Sequence, residues 1–395
     1  MKNALIFSPS FIGHRQVYVF VLSQVLIKLG YRIYIAGNFS AKLSSTFYFN
    51  RLKGNNNIFE IDTTEIPGNG LGINIHEFIE LQVKYAIDLT IFAEADNHIP
   101  LLISQLSVHK RLKGRTIGIF LRPFYVYQKV TAINKLRYFK WLYTEWKTDT
   151  RLFHEFLNPQ FHLINESLHL DDYFVSKHRH TKWLPDVFQQ FADEIVLEEQ
   201  SEQRHWIDKL DAFKEANKDC IFLLYFGAPQ ERRGYDFLLK LAVDYKACFV
   251  HCGLRNTWTD YEFDINELRG KLESEKKLFE TNEYIIDPIT IEYFFKAVGH
   301  LILPYKNFYG SSGVMLQALV YNIPVLVPDI GVIGYRVKKY GLGYTYNNGS
   351  FEKQFLCFLK TPTEMFSKSI EEYMKMQSVQ NLNSVLINAI NGEAS

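Results

Sequence analysis

The chain has little cysteine, no long apolar run and almost no net charge. Its 395 residues include four cysteines without Cys-x-x-Cys pairs or a disulfide-like pattern, which argues against a disulfide framework or a cysteine-based metal site. No stretch approaches the roughly 20 apolar residues of a membrane-spanning helix, and the apolar start, about five residues, is too short for a signal-peptide core. A net charge of +1 gives no global attraction for nucleic acid. We expect a soluble or peripheral protein of a reducing compartment, the cytoplasm.

What the chain does have is a repeated alternation of short β-branched apolar runs with helical patterns. Apolar residues make up 47% of the sequence, and the length favours two domains. Runs with little alternation fit parallel strands covered on both faces by crossover helices. The predicted strands are residues 4–8, 32–36, 57–61, 89–93, 116–121, 220–226, 247–252, 284–286, 300–304 and 323–328. The sequence therefore predicts an α/β protein with two doubly wound, Rossmann-like domains facing a central cleft.

A charge-rich segment, residues 194–219, separates the two series of strands. We place the domain boundary within or just before it, after the strand-like residues 181–186. This gives an N-terminal domain, residues 1–190, and a C-terminal domain, residues 191–365. Residues 366–395 are expected to form a C-terminal helix that packs back toward the N-terminal domain.

Two loops of the second domain have the features of phosphate sites. One predicted strand runs into GAPQERRG, residues 227–234, and another runs into YKNFYGSSG, residues 305–313. Each connection delivers small residues and a helix N-terminus to the same edge of the sheet, where backbone N–H groups and the helix dipole attract an anion. Arg232 and Arg233 lie in the first loop, where a guanidinium can neutralise a diphosphate.

A lone amide, Gln317, lies in the apolar helix that follows the second loop. If Ser312 caps this helix, Gln317 lies four residues beyond Gly313 on the same face and points toward whatever sits above the loop. There the amide can both donate to and accept from a sugar hydroxyl. The alternative is a hydrogen bond to a neighbouring backbone group in the core, and the chemistry alone does not separate the two.

Three stretches resemble the GT-B glycosyltransferases, in particular the large retaining family that includes bacterial polysaccharide and lipopolysaccharide transferases. Residues 301–344 look like the donor-binding region of that family, and residues 225–242 are similar to its loop of Gly-Arg followed by Lys-Gly. Residues 10–37 resemble its opening Gly-His loop, helix and second strand. The resemblance covers most of the chain, is diffuse between residues 40 and 180, and implies the GT-B fold.

The resemblance implies transfer of a sugar from a nucleotide diphosphate sugar, UDP- or GDP-linked, to a hydroxyl of a glycan or lipid-linked acceptor in bacterial surface polysaccharide biosynthesis. It also implies retention at the anomeric carbon, no essential divalent metal and no cofactor besides the donor. Negative charge develops on the leaving diphosphate, and Arg233 with the amides around Ser312, Gly313 and Val314 would stabilise it. In a retaining front-face reaction the leaving phosphate can take the acceptor proton.

The chain departs from the family pattern at several positions. Tyr309 and Gln317 stand where the family has two glutamates, of which the second usually holds the ribose hydroxyls and the first touches the donor sugar. Ala228 stands where the family has an arginine, and Arg233 where it has a lysine. One cation is therefore missing from the pattern, and Arg232 is the candidate to replace it.

The loops and the resemblance together predict a donor site in the second domain. By the resemblance, the nucleobase lies against the loop near residues 287–289, and Arg233 is the catalytic cation. The predicted donor-binding residues are Gly227, Arg232, Gly253, Asp287, Ile289, Tyr309, Ser311, Ser312, Gly313, Val314 and Gln317.

The first domain is expected to supply the acceptor side. His14, next to Gly13, follows the first strand, and Asp96 follows the strand at 89–93. By family position we predict catalytic roles for His14 and Asp96, against the alternative of helix capping or loop hydrogen bonding. His98 and Arg122 are weaker candidates, because histidine and arginine are common at strand ends.

Two further segments have an alternative reading. SKHRHTKW, residues 176–183, suggests a metal site, but no carboxylate or cysteine completes it and its basic residues oppose a cation, so we predict no metal. Residues 134–151 interleave Lys and Arg with aromatic residues, as an interfacial helix on an anionic membrane would. We favour instead an amphipathic helix packed on the first domain.

A function of a different class competes with the transferase. Loss of both motif glutamates and of one cation also fits a non-catalytic homologue, a nucleotide-sugar-binding or partner subunit. A sugar-nucleotide epimerase on the same fold is a weaker alternative, since a fold does not fix the chemistry. Slow donor hydrolysis without acceptor would indicate a transferase, whereas an epimerase would change the sugar and leave the nucleotide attached.

Overall fold

The computed structural model describes most of the chain. The described residues are 1–8, 14–37, 39, 52, 54–63, 73–121, 150–186, 202–255, 261–285, 287–306, 308, 310–347 and 349–392, without the side chains of 14–17 and 288. Contacts divide the chain into a first unit, residues 1–188 with 377–395, and a second unit, residues 189–376. Across the described residues, no helix is both long and apolar enough to cross a membrane.

The first unit is built on a parallel sheet. Its strands are β1 (Lys2–Phe7), β2 (Tyr31–Gly37), β3 (Ile58–Asp62), β4 (Leu89–Phe92), β5 (Arg115–Phe120), β6 (Glu166–His169) and β7 (Lys182–Trp183). In the described residues the strand order is β3-β2-β1-β4-β5-β6-β7, and every neighbouring pair is parallel. Apolar rings fill one side of this sheet, with the Phe78 ring 5.1 Å from that of Phe7 and 5.3 Å from that of Phe92.

Helices connect these strands. They are α1 (His14–Lys28), α2 (Ile75–Lys84), α3 (Ile99–Val108) and α4 (Asp172–Val175), with the chain's last helix, Val379–Asn391, also in this unit. Helix α2 begins at a capping box, in which Asn74 Oδ1 accepts from Glu77 N at 3.1 Å and Glu77 Oε2 accepts from Asn74 N at 2.8 Å. Residues 150–161 are helical, with a π-helical segment at Phe153–Leu157.

The second unit repeats the alternation of strand and helix. Its strands are β8 (Phe222–Phe226), β9 (Cys248–Cys252), β10 (Leu278–Glu280), β11 (Leu301–Ile302), β12 (Val325–Pro328) and β13 (Gly343–Tyr346). Hydrogen bonds join them in the parallel orders β10-β9-β8 and β11-β12-β13, and β11 lies beside β8. Its helices are α5 (His205–Ala216), α6 (Tyr235–Asp244), α7 (Ile265–Ser274), α8 (Pro288–Lys296), α9 (Gly313–Val320), α10 (Gly331–Tyr340), α11 (Phe351–Lys360) and α12 (Glu364–Met376).

Most predicted strands are confirmed to within two residues at each end. The prediction at 284–286 is wrong for the part that the structure describes: Tyr284 and Ile285 are outside any strand, and β10 lies earlier, at Leu278–Glu280. The apolar run predicted a buried strand, but Tyr284 is 69% exposed. Strand β6 had no sequence prediction, since its residues ESLH do not form an apolar run.

The division between the units differs from the predicted one at the C-terminal end. Residues 366–376 were predicted to pack back toward the N-terminal domain, but by their contacts they belong to the second unit. The reason is that Phe366, Ile370 and Tyr373 of α12 are buried in the second unit's apolar core. The functions assigned to the two domains stay predictions, as does the interfacial alternative for residues 134–151, of which 134–149 lie outside the described residues.

Candidate functional site

The loop that follows β8 is held in shape by a buried tyrosine. Tyr225 OH donates to Ala228 O at 3.0 Å and accepts from Gln230 N at 3.0 Å. The loop starts at Gly227, whose φ of +101° favours glycine, and a single turn at Glu231–Arg233 ends it. The loop backbone is therefore fixed before any ligand binds.

Arg233 lies across the start of this loop. A Cβ atom at Gly227 would come within 3.0 Å of Arg233 Nη1, so a larger residue there would displace the guanidinium. Burial raises the pKa of Tyr225, and the charge of Arg233 offsets part of that rise. The same charge opposes the effect of burial on the pKa of Tyr305, which places Arg233 close to both hydroxyls.

The second loop ends at a capped helix. Ser312 Oγ accepts from Met315 N at 3.2 Å, which confirms Ser312 as the N-cap of α9, and Tyr305 OH lies 2.9 Å from the same oxygen. The amides of Gly313 and Val314 begin the helix, and a helix offers its first N–H groups no acceptor of its own. The positive end of the helix dipole and these two amides have the chemistry that an anion requires, and their role in binding one stays a prediction.

The two loops touch one another. Lys306 N donates to Arg232 O at 2.9 Å, which ties the second loop to the first. Gly234 packs on Pro304 so closely that a Cβ atom there would lie 2.2 Å from Pro304 O. Arg233 and the start of α9 therefore lie on adjoining loops, which follow the carboxyl ends of β8 and β11.

Lys306 is a cation of this region that the sequence did not single out. Its Nζ contacts Glu262 Oε2 at 2.8 Å, and Glu231 Oε1 and Asp236 Oδ2 at 3.2 Å each. Burial would lower the pKa of Lys306, but these carboxylates outweigh it and hold that pKa above its usual range. The charge of Lys306 is thus balanced by these carboxylates.

Gly253 supports the loop from the neighbouring strand end. A Cβ atom at Gly253 would lie 2.6 Å from Gly227 O, and its own N–H donates to Thr281 Oγ1 at 3.0 Å. Arg232, in contrast, is exposed, and its Nε donates to Gln230 Oε1 at 2.9 Å. The structure thus brings Gly227, Gly253 and Arg233 together and leaves Arg232 on the surface.

Gln317 is buried, with a side-chain partner of its own. Its Nε2 donates to Tyr321 OH at 2.9 Å, and Tyr321 is the residue that caps the C-terminal end of α9. This contact is with a neighbouring hydroxyl rather than with the backbone group considered in the sequence analysis. It occupies part of the donor capacity of the amide, and a role toward a sugar stays a prediction.

Ser311 is held by a buried arginine that the sequence analysis missed. Arg336 Nη1 of α10 donates to Ser311 Oγ at 2.9 Å, and the arginine is fully buried. This hydrogen bond ties the second loop to α10. The remaining residue of this loop with a predicted role, Tyr309, lies outside the described residues.

The predicted nucleobase segment divides into two kinds of residue. Asp287 is almost fully buried and caps α8, with Oδ2 accepting from Thr290 N at 2.8 Å and from Thr290 Oγ1 at 2.6 Å. Its own N–H donates to Gln203 Oε1 at 3.2 Å. Ile289 is 42% exposed and offers an apolar surface. Asp287 therefore fixes the backbone of this segment by capping α8.

In the first unit the predicted residues make internal contacts. Asp96 is buried, and its Oδ2 accepts from Leu121 N at 2.6 Å, which joins the chain after β4 to the end of β5. His98 is also buried, with its ring 4.8 Å from the Phe7 ring. His14 begins α1, but its side chain lies outside what the structure describes, as do Gly13 and Arg122.

A buried histidine pair in the first unit was not predicted as a feature. His154 Nε2 lies 3.1 Å from His169 Nε2, and both rings are almost fully buried. Burial first, and then the charges of His178 and His180, lower the pKa of His154 to about 3. Burial and the neighbouring His154 also hold the pKa of His169 well below its usual value. Both rings are therefore neutral near pH 7.

Comparison with known proteins addresses the fold. No family model and no curated relative matches the sequence. Among solved structures, Anabaena Alr3699/HepE in complex with UDP is 11% identical, with a TM-score of 0.63 over 99% of this chain and 100% of that chain. The chain has the GT-B fold. The predicted fold class is thereby confirmed.

Two further structures agree with this. The lipopolysaccharide outer core galactosyltransferase WaaB, in its apo form, is 12% identical, with a TM-score of 0.58 over 99% of each chain. UDP-GlcNAc 2-epimerase from Neisseria meningitidis, bound to UDP-GlcNAc, is 12% identical, with a TM-score of 0.56 over the whole of both chains. At such identities the likeness establishes the GT-B fold, while the chemistry has to be argued from the site.

Proposed function

We propose that this protein is a glycosyltransferase that moves a sugar from a nucleotide diphosphate sugar to an acceptor hydroxyl. One observation carries the proposal: Arg233 and the N-terminus of α9 lie on two loops joined by the bond from Lys306 N to Arg232 O, at 2.9 Å. A guanidinium beside a capped helix N-terminus is suited to a diphosphate, which carries the charge that develops as the glycosidic bond breaks.

The structural neighbours support the choice of donor. Alr3699/HepE has been solved with UDP, with UDP and glucose, and with UDP-glucose, and it aligns with almost the whole of this chain. By that analogy we propose UDP- or GDP-linked sugars as donors. The base is expected near the exposed Ile289, beyond the Asp287 cap.

For the reaction we propose retention of the anomeric configuration without an essential metal or a cofactor other than the donor. Arg233 would stabilise the leaving diphosphate together with the amides of Gly313 and Val314. The leaving phosphate would then accept the proton of the acceptor hydroxyl. His14 and Asp96 stay predicted acceptor-side residues.

For the biological role we propose assembly of a bacterial surface polysaccharide or lipopolysaccharide. The acceptor would be a glycan or a lipid-linked glycan, and the reaction would take place in the cytoplasm or at the inner face of the plasma membrane. The fold of WaaB, a lipopolysaccharide outer core galactosyltransferase, supports this choice by analogy.

Donor hydrolysis without acceptor tests the proposal. UDP-glucose, UDP-galactose, UDP-GlcNAc and GDP-mannose would each be incubated with the wild type in EDTA, and the released anomer followed by NMR. We expect slow release from one donor, first as the retained anomer, and a loss on the order of 10²-fold in Arg233→Ala. Inversion would contradict the retaining mechanism, and a requirement for added Mg²⁺ would contradict metal independence.

A non-catalytic nucleotide-sugar-binding subunit is the second candidate. It is favoured by Gln317, which replaces a motif glutamate and already donates to Tyr321 OH at 2.9 Å. This candidate predicts nucleotide binding without hydrolysis of any donor. Conversion of UDP-GlcNAc with the nucleotide still attached would instead indicate an epimerase.

A further inference from the structure

A group of charged and polar side chains, largely buried except for the exposed Arg255, lies against the first loop of the second unit. We call Glu280, His251, Arg269 and Arg255 the Glu280 cluster. Arg269 of α7 donates to both carboxylate oxygens of Glu280, and Arg255 donates to one of them. His251 Nδ1 lies 3.3 Å from Glu280 Oε1. Burial would raise the pKa of Glu280, but the hydrogen bonds from His251, Arg269 and Arg255 hold it well below its usual range.

The cluster reaches the start of the loop through His251. This histidine is fully buried, and its Nε2 lies 3.0 Å from Gly227 O. A carbonyl oxygen only accepts, so Nε2 carries a proton and donates. The N–H of Gly227 donates in turn to Cys252 O at 2.8 Å. Both polar backbone groups of Gly227 are therefore fixed.

Fixing this carbonyl also fixes the next amide. In a planar trans peptide the N–H of Ala228 points opposite to the C=O of Gly227. Since His251 holds that oxygen toward the interior, the Ala228 N–H points away from it, toward the outer side of the loop. Within the part of the chain that the structure describes, this amide has no hydrogen-bond partner. It is available to an anion.

The cluster also reaches the end of the loop. Arg269 Nη1 donates to Tyr235 OH at 3.1 Å, and Tyr235 is the first residue of α6, directly after the loop. The His251 ring packs against two tyrosines, with its centroid 5.6 Å from that of Tyr225 and 5.4 Å from that of Tyr235. One carboxylate thus supports both ends of residues 227–234.

We propose that His251, held by Glu280, is a positioning residue for the donor diphosphate: it turns the Ala228 amide outward and holds the loop that carries Arg233. The inference rests on the proposed function, since it assigns the Ala228 N–H to the same diphosphate. The Ala228 N–H also supplies a hydrogen-bond donor for an anion at the position where the resemblance led us to expect an arginine side chain.

Two substitutions of His251 separate its two contacts. In His251→Gln the side-chain amide nitrogen replaces Nε2 and can still donate to Gly227 O. In His251→Asn the side-chain nitrogen replaces Nδ1, so it faces Glu280 and no longer reaches Gly227 O. In calorimetric titrations with UDP and GDP we expect His251→Asn to weaken binding on the order of tenfold, the value of one lost hydrogen bond, and His251→Gln to stay within about 1.5-fold.

The chain offers a matched control in the same unit. His300 Nε2 lies 2.9 Å from Thr361 O, and His300 precedes β11, at the sheet edge opposite the loops. His300→Asn removes a bond of the same kind and should leave nucleotide affinity unchanged. Thermal unfolding of all variants would verify that they fold. If His251→Asn does not fold, Tyr235→Phe decides, because it removes only the hydroxyl at the loop's end and should weaken binding about threefold.

The outcomes separate the inference from the function. If the wild type binds UDP or GDP and His251→Asn and Tyr235→Phe bind equally well, the positioning role is overturned and the proposed function stands. Equal weakening in His251→Gln and His251→Asn would also overturn it, since only one of them keeps the donor to Gly227. If the wild type binds neither nucleotide, the proposed function fails and the inference fails with it.

Discussion

The two units place polar residues at the carboxyl ends of parallel strands but use them differently. In the second unit, Tyr225 and Tyr305 support loops through their hydroxyls, so Arg233 and backbone amides stay available to a ligand. In the described part of the first unit, the Asp96 carboxylate accepts from Leu121 N. There the carboxylate binds the backbone of its own unit.

The histidine pair extends this contrast. His154 and His169 lie 3.1 Å apart in the interior of the first unit, both neutral. In the second unit His251 is equally buried, but it contacts Glu280 and a loop carbonyl. Buried histidines therefore contact one another in the interior of one unit, whereas in the other a buried histidine fixes a loop.

The largest expected effect comes from Gly234→Ala, which should separate the two loops. The new Cβ atom would lie 2.2 Å from Pro304 O, at a φ of +69°. We expect a loss of about 1–2 kcal/mol from the left-handed backbone and about 1–3 kcal/mol from the overlap, with nucleotide binding lost. Urea unfolding and calorimetric titration measure the two effects.

Gly299→Ala is the control for this change. Gly299 has a φ of +66°, but a Cβ atom there would meet no atom within 4 Å. Gly299→Ala should therefore lower the stability only by the about 1–2 kcal/mol of the left-handed backbone, and nucleotide binding should persist. If the two variants behave alike, the contact of Gly234 with Pro304 does not join the loops.

Acid should affect the two units in different pH ranges. The folded pKa of His154, about 3, lies below the unfolded value near 6.5, so its stabilisation is complete above pH 6.5 and falls as the pH drops toward 3. From pH 7 to 5 we expect a loss of about 2 kcal/mol from His154 alone. The pKa of Glu280 is also depressed, but its stabilisation is lost only below about pH 4.3.

Hydrogen exchange at pH 7 and pH 5 distinguishes the units. Amides of β6 should lose protection at pH 5, whereas those of β9 should not. His154→Phe should reduce the pH dependence in the first unit. Equal loss of protection in both units would show that the histidine pair is not the cause.

A smaller difference is expected between two helix caps. Ser312 Oγ accepts from Met315 N, and Ser378 Oγ accepts from Asn381 N, each at 3.2 Å. Replacing either serine by alanine should cost about 1 kcal/mol of stability. Because Ser312 alone begins the helix of the candidate site, only Ser312→Ala should also weaken nucleotide binding, by a few-fold. Equal nucleotide affinity in Ser312→Ala and Ser378→Ala would show that α9 is not part of the donor site.

The sequence predicted those features that depend on pattern and backbone. The strands, the two glycine loops and the Ser312 cap follow from β-branched runs, glycines and a capping residue, which act locally. Tyr225 and Tyr305 were missed because a tyrosine in or directly after an apolar run is not distinguished from other aromatic core residues. Arg336 was missed because only the fold buries its guanidinium beside Ser311.

Long-range contacts explain the other differences. The run at 284–286 has the composition of a strand, yet Tyr284 is exposed, and the sheet takes Leu278–Glu280 instead. Glu280 looks like one of many surface acids in the sequence, and its role follows only when Arg269 and His251 approach it from other elements. Local sequence patterns therefore do not predict the role of a side chain that depends on such contacts.

The most direct test of the donor site is a calorimetric titration of nucleotide diphosphates in EDTA. UDP, GDP, CDP, ADP and dTDP would be titrated into the wild type, Arg233→Ala and Arg232→Ala. We predict that one nucleotide binds the wild type, that Arg233→Ala weakens it by roughly 10- to 100-fold, and that the exposed Arg232→Ala changes it by less than about threefold. Unchanged affinity in Arg233→Ala, or no binding of any nucleotide to the wild type, would contradict the account.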